Sequence, residues 1–81
     1  MINNYTLNII GKFLRLDTSR KVLIKEAVKI YKNDKEIDLD KIINTINELV
    51  TEINTISTYT VVPRRDKLTI NYFKNIEDKI N

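Results

Sequence analysis

Apolar and polar residues repeat along the chain with changing periods, and each change marks an element. Within residues 6–16, Leu7, Ile9, Ile10, Phe13 and Leu14 recur at spacings that suit a short helix, with Asn3 or Asn4 as its cap. Tyr5, Leu7 and Ile9 also alternate as in a strand, and Gly11 costs a helix roughly 1 kcal/mol; helix is the preferred reading. Asp17-Thr18-Ser19 then offers three capping side chains ahead of a second helix. From Arg20 to Tyr31 the apolar residues Leu23, Ile24, Ala27, Val28, Ile30 and Tyr31 recur every three or four positions, while Lys21, Lys25, Lys29 and Lys32 form a separate stripe. Residues 33–36 form a polar turn.

The clearest helical period follows. Leu39, Ile42, Ile46, Leu49, Ile53 and Ile56 are spaced by threes and fours, with Ile43 and Val50 widening the stripe. This predicts a helix over about 38–53, capped by Asp38 or Asp40 and ended near Asn54. Beyond it the period shortens to two. Thr58-Tyr59-Thr60-Val61-Val62 is dense in β-branched and aromatic residues, and Lys67 to Tyr72 alternates polar with apolar. With Pro63-Arg64-Arg65-Asp66 as the turn between them, the two runs predict a β-hairpin. Ile76 and Ile80, four apart, suit a short helix over Lys74 to Asn81. The expected fold is therefore α+β: three helices, then a β-hairpin, in one small domain spanning residues 1–81.

Composition narrows the chemistry. The chain contains no cysteine and no histidine, so a disulfide is excluded, a structural zinc is not expected, and no His or Cys is available as a catalytic base or nucleophile. Ser19 and Ser57 have no activating partner beyond lysine or a carboxylate. A single glycine rules out glycine-rich phosphate and dinucleotide loops. Asp34, Glu36, Asp38 and Asp40 alternate like a calcium loop, but Leu39 stands where that loop needs glycine and Thr45 where it needs glutamate. These absences predict a protein that is not an enzyme and uses no cofactor or metal. The 14 isoleucines, 10 asparagines and 10 lysines reflect an AT-rich coding sequence, so no single Lys or Asn is significant by its type alone. With no signal peptide and no apolar run long enough to span a bilayer, the expected location is cytoplasmic, away from membranes. Asn4-Tyr5-Thr6 matches a glycosylation sequon only by chance on that reading.

The net charge of +3 is unevenly distributed. Residues 1–35 hold eight basic and three acidic residues, residues 36–57 one and five, and residues 58–81 five and three. Two positive regions thus flank an acidic one.

Taken together, the helix Ile37–Val50 and the turn Val62-Pro63-Arg64-Arg65-Asp66-Lys67-Leu68-Thr69 give the chain an order that resembles the winged helix-turn-helix family, in architecture and over about residues 6–73. That resemblance implies double-stranded DNA as partner, with the third helix in the major groove and the hairpin as a wing on the backbone. Lys41, Asn44, Thr45 and Glu48 would form the exposed reading strip, and Arg64, Arg65 and Lys67 would contact phosphates, with Arg64 and Arg65 mattering most. Lys21 and Lys25, from the basic stripe, would add contacts on the second helix. The expected role is that of a dimeric regulator or, given the small size and AT-rich composition, an accessory factor in plasmid or phage DNA maintenance and transfer. Two departures stand out: the reading helix carries Asp38, Asp40, Glu48 and Glu52 against one lysine, and no glycine separates it from the wing.

A second reading takes the heptad spacing over 38–56 as a helix–helix interface. The protein is then a small dimeric binding module or inhibitor whose acidic helix meets a protein partner. Salt dependence separates the two, because DNA binding weakens steeply as salt rises. Residues 19–33 also have the outline of a basic amphipathic helix, although Tyr31 is its one aromatic residue.

Overall fold

The computed structural model describes residues 3–80, with side chains described as far as Ile76. It contains three helices: α1 (Asn4–Asn33), α2 (Leu39–Ser57) and α3 (Ile70–Ile80). Among the described residues there is no strand, so the fold is all-helical and the expected α+β class is corrected. The winged-helix resemblance loses its basis with the hairpin. The expected C-terminal helix begins four residues earlier than Lys74; the side chain of Ile80, and Asn81 itself, lie outside what is described.

The two helices expected before residue 33 are one. Asn3 caps α1, its side chain accepting from the Thr6 amide at 2.8 Å. The helix then runs through Asp17-Thr18-Ser19 without a break, because Phe13, Asp17, Arg20, Ile24, Ala27 and Tyr31 keep one continuous 3.6-residue face. No proline interrupts it, and Gly11 is helical rather than a hinge. A Cβ at Gly11 would meet only the far end of Arg15, at 3.5 Å. Gly11→Ala is therefore expected to stabilise the fold by up to about 1 kcal/mol, seen as a higher urea midpoint with unchanged slope. An unchanged or lower midpoint would mean that this turn of α1 is not formed in solution.

Asp34 ends α1 with an Asx turn, its side chain accepting from the Glu36 amide, and Asp38 caps α2 by accepting from the Lys41 amide. This short turn folds α2 back along α1. The buried face of α2 comprises Leu39, Ile43, Ile46, Val50, Ile53 and Ile56, while Ile42 and Leu49 are half-buried at its edges. The sequence stripe was thus right in period and rotated slightly in phase. Most of these heptad positions are thus buried within the chain itself.

At the turn end, Ala27, Tyr31, Leu39, Ile43 and Ile46 form a core closed by Phe73 of α3. Phe73 is fully buried and meets the Tyr31 ring edge-on at 5.6 Å. At the far end Phe13, Val50, Ile53 and Ile56 are buried. The molecule measures 50 × 22 × 16 Å, its long axis set by α1, whose 30 residues span about 45 Å.

Residues 58–69, expected as the first strand, the turn and the start of the second strand of a hairpin, connect α2 to α3. Thr58 to Thr60 fold as turns on the end of α2, their amides donating to the Thr55 and Ile56 carbonyls. Residues 62–69 then return along α2 as an extended strap. With no partner strand, two asparagines of α2 supply its hydrogen bonds. Asn54 accepts from the Arg65 amide at 2.8 Å and donates to the Arg65 carbonyl at 2.9 Å. Asn47 does the same for Leu68, at 2.7 and 3.0 Å. Seven residues of helix rise about 10.5 Å and three extended residues span about 10 Å, so the two pairs stay in register. Asn54, expected to end the helix, lies within it for this purpose.

Candidate functional site

The side chains proposed from sequence as one DNA-binding set do not form one surface: Lys41, Asn44 and Thr45 lie on α2, Arg64 and Lys67 on the strap, and Arg65 turns inward to Asp17, beside Lys21. Arg65, expected at a wing tip, is folded inward. Its Nε and Nη2 donate to the two carboxylate oxygens of Asp17 at 2.9 and 3.0 Å, and its guanidinium lies 5.6 Å from the Phe13 ring centre. Asp17, only 5% exposed, also accepts from Arg20 Nε at 2.9 Å and lies 3.4 Å from Lys21 Nζ. The Arg65 hydrogen bonds, followed by the one from Arg20, hold the Asp17 carboxyl well below the usual carboxylate range against the opposing effect of burial. The same pairing raises Arg65 above its ordinary value. Arg64 is exposed and closes the end of α2, reaching the Asn54 carbonyl and Ser57 Oγ at 3.4 Å each. Lys67 is exposed on the strap.

Lys41, Asn44 and Thr45 do lie together on the outer surface of α2. Thr45 Oγ1, however, donates to the Lys41 carbonyl at 3.0 Å. Lys41 and Thr45 border an apolar cavity of about 200 Å³ whose other walls are Leu23, Ile42 and Ile46. Leu23 stands two residues from both Lys21 and Lys25, which places this cavity on the flank of α1 opposite those lysines.

Lys21 and Lys25 belong to the most distinctive site, a groove of about 550 Å³ between α1 and α3. Arg20, Lys21, Lys25 and Lys32 form its cationic wall, Ile24 and Val28 its apolar base, and Tyr72 and Ile76 of α3 its other side. Asp17 partly neutralises Arg20 and Lys21. Lys25 and Lys32 make no ion pair with a described residue, so they carry most of the groove's uncompensated charge. Lys29, the remaining lysine of the sequence stripe, faces elsewhere and lies 3.4 Å from Glu26. The lysines of this wall are legible in the sequence; Tyr72 and Ile76 are not, because the sequence pattern places one in a strand and the other in a separate terminal helix. The alternation through Leu68, Ile70 and Tyr72 concealed the start of α3.

No three His, Cys, Asp or Glu side chains converge to hold a metal among the described residues. Among the described residues no helix is long and apolar enough to cross a membrane.

These features define a small all-helical protein with a strapped helical hairpin and a cationic, apolar-based groove. A family model described as "Protein of unknown function (DUF2533)" matches residues 3–77, and the chain belongs to that family. The comparisons with curated proteins and with solved structures gave no significant match.

Proposed function

We propose that the protein is a non-catalytic docking module that holds an acidic, partly apolar segment of a partner protein in the groove between α1 and α3. The observation that carries this reading is the combination of Lys25 and Lys32 with the aliphatic surface of Ile24, Val28 and Ile76 in one concavity. Carboxylates of a partner would meet the lysines, and its apolar side chains would cover the base. Duplex DNA fits less well, since a convex surface of phosphate and sugar has nothing to place on the aliphatic residues. Of the residues expected to grip DNA, Arg65 is engaged by Asp17, and Lys41, Asn44 and Thr45 lie away from the groove.

A labelled 12-residue helical peptide bearing glutamates on one edge and leucines on its face serves as the probe, read by fluorescence anisotropy. Lys25→Glu with Lys32→Glu is expected to weaken its binding roughly tenfold or more, because attraction becomes repulsion at two exposed positions. Equal affinity of the two proteins for the peptide would overturn the reading. So would tighter binding of a random-sequence duplex than of the peptide, since that result belongs to a nucleic-acid surface.

A further inference from the structure

We infer that the docked segment is a helix of about 25 residues from a different protein, which leaves the groove and continues along α1 as far as Leu7; this rests on the groove being the docking site. The eleven residues of α3 span about 16 Å, whereas α1 is about 45 Å long. One flank of α1 therefore extends beyond α3. On it lie Leu7, Leu14, Lys21, Lys25 and Lys32, separated by seven, seven, four and seven residues, steps that keep them within a narrow strip over about 37 Å. Leu7 and Leu14 are 53% and 57% exposed, and Ile10 between them is half-buried. The strip is thus apolar toward the start of α1 and cationic toward its end. Residues 4–16 contain Lys12 and Arg15 and no acid. A straight strip with these steps matches a second helix laid alongside, which would complete a four-helix arrangement around α1.

Charge argues against a second copy of this chain as the occupant. Parallel α1 strips would set lysine against lysine, and antiparallel strips would set Leu7 and Leu14 against Lys32 and Lys25. The outer face of α2 has acids to offer in Glu48 and Glu52, but Asn44, Thr51 and Thr55 beside them leave nothing apolar for Leu14 or the groove base. The fitting occupant carries acids toward the groove and aliphatic side chains toward Leu14 and Leu7.

The test compares the 12-residue peptide with a 26-residue version extended by leucines opposite Leu14 and Leu7. The longer peptide is expected to bind roughly tenfold tighter. Leu7→Ser with Leu14→Ser should abolish that gain and leave the affinity for the short peptide unchanged. A longer peptide that binds no tighter, or a gain that survives the serine substitutions, overturns the inference while leaving the groove reading intact. Indifference of both peptides to Lys25→Glu with Lys32→Glu would remove the groove reading itself. Sedimentation should show a one-to-one complex with the long peptide; a peptide-free dimer that dissociates on Leu7→Ser with Leu14→Ser would assign the strip to a second copy instead.

Discussion

Asp17→Ala is expected to destabilise the protein by about 3 kcal/mol, read as a large drop in the urea midpoint. Asp17 occupies a place in the heptad series Ile10, Asp17, Ile24, Tyr31, where the rest of the α1 face is apolar or half-buried. Its carboxylate is the meeting point of Arg65, Arg20 and Lys21. Removing it leaves three cations together, and Arg65 keeps no counter-charge near the Phe13 ring. Combining Asp17→Leu with Arg65→Met should recover much of the loss, because the site then loses both the stranded charge and the need to solvate it. If Asp17→Ala unfolds at the wild-type midpoint, the pair contributes nothing.

The same pair predicts acid sensitivity with a definite sign. The folded-state pKa of Asp17 lies below its unfolded value near 4. Its stabilisation is therefore complete above about pH 4 and declines as pH falls toward the folded pKa, because the unfolded chain takes up the proton first. Urea midpoints measured between pH 7 and pH 2.5 should fall more steeply for the wild type than for Asp17→Asn. Parallel curves would show that Asp17 is not coupled to folding.

Truncating both strap-holding amides, Asn47→Ala with Asn54→Ala, is expected to cost about 3 kcal/mol. Four hydrogen bonds disappear at about 1 kcal/mol each, and water re-satisfies part of the loss at these half-buried positions. The local signature is more telling than the total. The Arg65 and Leu68 amides donate to the two asparagines, so their hydrogen exchange should approach that of the open chain while the Ile46 and Ile53 amides of α2 remain protected. Phe73 would still anchor α3, which makes release of the strap separable from loss of the core. Continued protection of Arg65 and Leu68 in the double variant would show that the strap is held by something else.

What could be read from the sequence, and what could not, follows from the range of the forces involved. The α2 helix, its Asp38 cap and the apolar period from Leu39 to Ile56 were legible because helix signals are local. So was the lysine wall, since Lys21, Lys25 and Lys32 sit on one helix. The β-hairpin was misjudged for the opposite reason: the propensity of Thr58 to Val62 for extended structure was real, but strand formation needs a neighbour, and the available neighbour was a helix with two carboxamides. Asp17 reads as a cap in the sequence because the capping role is local, while the partner that keeps it inside the helix, Arg65, lies 48 residues away. Tyr72 and Ile76 were missed at the groove for the same reason, as their place depends on Phe73 reaching Tyr31.

Besides the Arg65–Asp17 pair, the strap is held through its main chain, and this sets a rule for how it can change. Asn47 and Asn54 bind the amides and carbonyls of Leu68 and Arg65 without regard to the side chains. Asp66 and Lys67, which lie between the clamped residues and are exposed, are free to drift in sequence. The count of residues between the clamps is not free, because two helical turns are matched by three extended residues and no other number. At Asp66 and Lys67 substitution is expected to be tolerated while insertion or deletion is not, so the strap serves as a ruler that fixes where α3 begins.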